Sequence, residues 1–167
     1  ASQSAALLGS TSISKKVFRD QIAFNILSHT ERPDKNGFSS AEKQIMSEIK
    51  RVLDRQDFAF SLSIIQAPVF HTYSIMTYLE LEKETGVEDL ECLFKASPFF
   101  KLSVPGSSCS VSSLSVAGKE NIFIGMIKKE EAIPRSFWIW TVADNLTLGS
   151  ALNAYEIAKI LLSSSQA

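Results

Sequence analysis

Ser136-Phe137-Trp138-Ile139-Trp140-Thr141-Val142-Ala143, followed at once by Asp144-Asn145, is the stretch on which the fold turns. It is β-branched and aromatic, a composition that suits a pleated, packed surface. Side chains alternate across a strand. Phe137 and Ile139 therefore share one face, and Trp138, Trp140 and Val142 the other. A strand apolar on both faces must be covered on both. Asp144 or Asn145 then offers the short polar side chain that opens a helix, predicted to run to about Leu162.

Outward from this strand the pattern repeats. Asn121 to Lys128 reads as a strand, joined to the first by a turn at Pro134. Tyr73 to Glu82 is another, with Ile75, Thr77, Leu79 and Leu81 on one face and Met76, Tyr78, Glu80 and Glu82 on the other. Phe58 to Val69 is predicted as a further strand ending near Pro68. Ser39 to Leu53 is the clearest helix. Ser39 and Glu42 have capping-box spacing, and Ala41, Ile45, Ile49 and Val52 line one face. Thr85 and Glu88 form a second box, opening a helix with Leu90, Leu93 and Phe94 inward. Phe18 to His29 is a short buried stretch of undecided type, and Pro98 to Gly118 is irregular and serine-rich. Ser2 to Leu8 reads as a helix end closed by Gly9.

Short connections and irregular alternation predict an α+β fold with a mixed, mostly antiparallel sheet and helices on one face. Two covers are open for the other face: a second copy of the chain, or the serine-rich segment. The chain has 167 residues, 45% hydrophobic and 21% charged, which is ordinary for a globular protein. With 17 basic and 18 acidic residues interspersed, no basic block grips phosphates, so nucleic acid is not an expected partner. No stretch approaches the ~20 apolar residues that span a bilayer. Two cysteines without C-x-x-C spacing imply neither zinc nor a disulfide framework, and fit a cytoplasmic setting.

The chemistry-bearing residues are sparse. His29 and His71 lack a second histidine at helical spacing, so no metal is expected. His71 falls between two strands, where a general base could stand, but it reads as a surface or partly buried histidine. Cys92 reads as core of a helix. Cys109 sits among serines with no histidine nearby in sequence. No G-x-S-x-G elbow and no glycine-rich phosphate loop occurs.

Several segments, in order, resemble the aspartate-semialdehyde dehydrogenases. They are Val17-Phe18-Arg19-Asp20-Gln21-Ile22-Ala23-Phe24-Asn25, Gly37 to Leu53, Gln66-Ala67-Pro68-Val69-Phe70 through Glu82, Val116-Ala117-Gly118-Lys119, Phe123-Ile124-Gly125, Trp140 to Leu146 and Gly149 to Ala154. The resemblance implies a two-domain enzyme. Its first half is a Rossmann domain that binds NADP and carries the nucleophilic cysteine. Its second half is a dimerisation domain of the glyceraldehyde-phosphate-dehydrogenase carboxyl-terminal type. On this reading residues 1–16 are the tail of a missing Rossmann domain, 17–145 the dimerisation domain, and 146–167 a helix that packs on the missing domain. A homodimer is implied, with NADP bound only when that domain is present.

The departures from the family pattern are specific. The substrate-binding arginine falls on Gln66, and the acid/base histidine on Tyr73. The substrate-binding glutamate and phosphate-binding lysine fall on Ala41 and Gln44. A neutral amide cannot replace a guanidinium that clamps a carboxylate through two charged bonds. An unperturbed phenol titrates near ~10, far from neutrality. Asn145 and Gly149 match cofactor-side positions and are kept. Fold kept with chemistry altered resembles the Usg-type paralogues, which share Gln-x-Pro-Val-Phe here. The expectation is a dimerisation domain without the family's reductive dephosphorylation of aspartyl phosphate. The alternative is part of an active NADP-dependent dehydrogenase whose cysteine lies upstream.

Overall fold

The structure, a computed structural model, describes residues 2–13, 15, 20–28, 31–103 and 110–164. Its contacts divide the chain into two compact units, Ala1–Pro68 and Val69–Ala167.

The first unit holds helices α1 (Ser2–Leu8) and α2 (Ser40–Val52). The predicted capping box is present: Ser39 Oγ accepts from the Glu42 N–H, and the Glu42 carboxylate accepts from the Ser39 N–H at 2.8 Å. Glu42 also reaches past its own helix to accept from the Ile64 N–H at 2.8 Å. The expected strand over 58–69 does not form. One of its amides is satisfied by this carboxylate, and the segment's only β-bridge among the described residues joins Gln66 to Leu27. Propensity alone does not make a strand without a neighbouring ladder. Ala23 is the one apolar side chain of this unit in the buried core among the described residues, whereas Phe24, Ile26, Val52 and Ile65 are exposed.

The second unit is built on a sheet in the order β1-β4-β3-β2. Its strands are β1 (Tyr73–Glu80), β2 (Phe100–Leu102), β3 (Ile122–Lys129) and β4 (Ser136–Ala143). β4 runs antiparallel to both β1 and β3, and β2 alone is parallel to its neighbour. The sheet is mixed and mostly antiparallel, as the strand patterns predict. Phe137, Ile139, Val142 and Ile124 form its buried centre.

Helix α3 (Val87–Ala96) follows β1. Its cap lies one residue beyond the predicted Thr85: the Gly86 N–H donates to Asp89, while Thr85 bonds Lys83 in the preceding turn. Leu90 is buried and Phe94 stacks edge-on against Phe100 of β2, but Leu93 is exposed, contrary to expectation. The serine-rich stretch is less irregular than it reads. It contains β2 and the single turn α4 (Ser113–Val116).

Register gives each face its membership. Phe100, Ile124, Phe137 and Ile139 share the face that α3 covers. Met76, Trp138, Trp140 and Met126 share the other. The end of the serine-rich segment covers one corner of that second face. Trp140 Nε1 donates to the Val111 carbonyl, and the Ser74 and Ser113 hydroxyls bond at 3.1 Å. Helical cover is therefore not confined to one face, yet Met76 and Met126 stay exposed.

After β4 the chain turns at Asp144 into six π-helical residues, Thr147–Leu152, and then α5 (Asn153–Ser164). Tyr155, Ile157, Ile160, Leu161 and Leu162 of α5 are exposed. Among the described residues no helix is long and apolar enough to cross a membrane.

Candidate functional site

Gln66, Ala41 and Gln44 belong to the first unit. Gln66 is half-buried and held by its backbone: it exchanges bonds of 2.8 and 3.0 Å with Leu27. Its side-chain amide folds back on the Ala67 carbonyl at 2.9 Å. The Ala41 N–H donates to Glu31, whose other carboxylate oxygen accepts from the Ser40 hydroxyl at 2.6 Å. These bonds hold the Glu31 carboxyl below its usual range, the Ser40 hydroxyl foremost. Gln44 is exposed and bonds Glu48 one turn on. The start of α2 thus carries the chain's own carboxylates, Glu31 and Glu42, at the positive end of the helix dipole. Neither Gln66 nor Gln44 offers a positive charge to an anion.

Tyr73, Asn145 and Gly149 belong to the second unit and gather at one end of its sheet. Tyr73 opens β1 opposite Ala143, with 64% of its surface exposed. Asn145 stands just past the end of β4, where its Oδ1 accepts from the Thr72 N–H at 2.8 Å. Gly149 lies in the π-helical turn, and a β-carbon there would meet only Asn145, at 3.8 Å. The glycine is not needed for backbone conformation, and it leaves the space beside Asn145 open.

Asp144 anchors this corner. It is 3% exposed, and its carboxylate accepts from the backbone N–H groups of Gly118, Leu146 and Thr147. The Gly118 bond above all, then those of Leu146 and Thr147 and the neighbouring His71, hold its carboxyl below the usual range against the cost of burial. Gly118 can donate because it sits at φ +80°, which a residue with a β-carbon rarely adopts. The helix cap thus settles on Asp144, while Asn145 turns back to the strand.

The other sequence candidates separate. Cys92, expected in the core, is an exposed free thiol on α3. His71 is exposed beside Thr72. Cys109, His29 and the segment Val17-Phe18-Arg19 lie outside the described residues. Glu130 accepts from Trp138 Nε1 at 3.0 Å and from the turn amides of Glu131 and Ala132. Sequence reasoning missed Thr72 and the reach of Glu42 to Ile64. No motif announces either, since one is a backbone conformation and the other a contact across 22 positions.

Among the described residues no cluster of His, Cys, Asp and Glu could hold a metal. Toward NADP, the group implied by the resemblance, this chain offers little. Asn145 commits its oxygen to Thr72, which leaves its NH2 to donate, and Gly149 leaves room beside it. That pair suits the polar edge of a flat ring. It supplies no cradle for phosphates.

Comparison with known proteins agrees with the fold. A family model described as semialdehyde dehydrogenase, dimerisation domain, matches residues 1–148. An aspartate-semialdehyde dehydrogenase of Shewanella violacea is 25% identical over 97% of this chain and 48% of its own length. A USG-1 protein homolog of Pseudomonas aeruginosa is 27% identical, again over 97% and 48%. The crystal structure of aspartate semialdehyde dehydrogenase II from Vibrio cholerae, complexed with ASA, superposes with a TM-score of 0.88 at 22% identity, covering 96% of this chain and 48% of that one. The chain spans about half the length of the curated relatives it matches. With an α+β sheet of matching architecture and a family model over most of its residues, the chain belongs to the semialdehyde dehydrogenase dimerisation-domain family.

Proposed function

We propose that this chain is the self-association half of an aspartate-semialdehyde dehydrogenase-like protein that does not carry out the family's reductive dephosphorylation of aspartyl phosphate. Gln66 carries the proposal. It stands where the resemblance places a substrate-clamping arginine, and its amide is folded onto the Ala67 carbonyl, presenting no charge to a carboxylate. Tyr73, Ala41 and Gln44 extend the same neutralisation to proton transfer and phosphate binding. Self-association is of two copies in the cytoplasm, through the sheet face bearing Met76 and Met126. Residues 1–16 serve as the end of a Rossmann domain, and the segment 146–167, which carries α5, packs on it. NADP is bound only with that domain, Asn145 and Gly149 contributing at its edge.

The direct test is NADP reduction by the full-length protein with aspartate semialdehyde and phosphate. Activity near background is expected, and turnover typical of a dehydrogenase would overturn the proposal. If the upstream domain carries the cysteine and a glycine-rich loop, Gln66→Arg with Tyr73→His is expected to raise the rate above that background. A second reading draws on the exposure of Tyr73 beside the Asn145 corner, with room at Gly149. In it the full-length protein remains an NADP-dependent dehydrogenase acting on an uncharged aldehyde, with Tyr73 or His71 assisting an upstream cysteine. Activity with such an aldehyde but none with aspartate semialdehyde would favour it.

A further inference from the structure

Uncommon features meet where β1 begins. Thr72 has φ +78°, in the left-handed region that a β-branched residue rarely enters. It is only 6% exposed, and its Oγ1 is buried without a hydrogen-bond partner. A buried hydroxyl left unpaired is an unfavourable state that a structure keeps only where its surroundings enforce it. The Thr72 N–H donates to Asn145 Oδ1, across 73 positions of sequence. Asn145 is itself fixed from both sides. Asp144 before it is held by three backbone donors, and the π-helical turn Thr147–Leu152 follows it. Such π-helical turns occur mostly as single-turn bulges in α-helices, frequently at functional positions.

We infer that Asn145 and Thr72 form a strained latch, by which the head of the C-terminal helix holds the entry of β1, and with it Tyr73, in one conformation. Without the Asn145 oxygen, the Thr72 amide has no acceptor and its β-carbon drives φ back to negative values. The chain entering β1 must then rotate, and Tyr73, the next residue, turns with it. Displacement of Asn145 by anything that moves the helix head therefore reaches Tyr73 through one hydrogen bond. The latch stands apart from the question of catalysis, since it concerns only which conformation the strand entry adopts.

Glycine at position 72 separates this from a merely structural bond. It adopts positive φ without penalty, so it has no drive to leave when the acceptor is removed. Amide hydrogen exchange by NMR is measured on the wild-type chain, Asn145→Ala, Thr72→Gly and the double variant. Asn145→Ala is expected to speed exchange at residues 73–76 by about tenfold or more, while residues 137–142 stay protected and report an intact sheet. In the Thr72→Gly background, the same Asn145→Ala change is expected to have less than about a threefold effect. Equal effects in both backgrounds, or none in either, overturn the latch. If Asn145→Ala fails to fold, recovery of folding in the double variant supports the latch, and failure of both overturns it.

Discussion

Three backbone amides converge on the carboxylate of Asp144, from Gly118, Leu146 and Thr147. Each bond favours the ionised form, so the folded carboxyl binds a proton less readily than the unfolded one. The unfolded chain then takes up the extra proton as acidity rises. The stabilisation is complete above the usual carboxylate range and fades as pH falls through the lowered folded value. Thermal midpoints of the wild-type chain and Asp144→Asn should differ most near about pH 7 and converge toward about pH 3. A gap that stays constant across that range would mean the bonds do not depend on the charge. Asp20, Asp34 and Glu130 are also held low by hydrogen bonds, so both proteins lose stability in acid, and the difference between them isolates Asp144. The sequence gives this residue away in part. A short acid after a strand and before a helical run is a cap signal, but Asp144 and Asn145 are equally good caps by type. Only the Gly118 amide, brought in from 26 positions away, assigns the cap to Asp144 and frees Asn145 for Thr72.

At the scale of elements, Gly125 shows why the serine-rich segment can lie on the sheet. It sits at a register irregularity in β3, where the chain around Val111 crosses the sheet closely. A β-carbon at Gly125 would come within 2.8 Å of Val111 Cβ and 2.9 Å of Trp140 Cδ1. Gly125→Ala is therefore expected to destabilise the fold by about 1–3 kcal/mol and to displace Val111 from the Trp140 indole. Urea unfolding followed by tryptophan emission checks both, through a lower midpoint and a red-shifted native spectrum. An unchanged midpoint would show that the segment does not press on the sheet. The elements legible in advance were those with a local signature. α2 carries a capping box and an apolar face, and β1, β3 and β4 carry period-two alternation long enough to read. What escaped was decided by distant partners. Phe58 to Ile65 has the composition of a strand but joins no ladder among the described residues, and β2 is three residues long, too short for a period to register. Among the site positions, Gln66 and Tyr73 stood out only against the family resemblance. Nothing in their own surroundings marks a glutamine or a tyrosine as an altered charge.

For the molecule as a whole, the deciding quantity is the apolar surface left exposed among the described residues. Met76 is 47% exposed and Met126 36%, both on the sheet face opposite α3 and on either side of Trp140 in the register. Among the described residues of the serine-rich segment, Val111 and Ser113 bond at the corner of that face. Burying a side chain of this size is worth about 1.5–3 kcal/mol, so a face with both methionines and the half-buried Trp138 has reason to be covered. A two-fold axis through this face would bring each copy's patch onto the other's, the self-complementary geometry of a closed dimer. Met76→Glu with Met126→Glu places like charges on both sides of such a contact. A buried, unpaired carboxylate is far costlier than the methionine it replaces. Sedimentation at micromolar concentration is expected to give a dimer for the wild-type chain and a monomer for the double variant, with far-UV circular dichroism unchanged. A wild-type monomer would remove the self-association proposed for this face. A double variant that stays dimeric would move the contact elsewhere, to surfaces such as α5, whose exposed Ile157, Ile160 and Leu161 a carboxylate on β1 or β3 would not disturb.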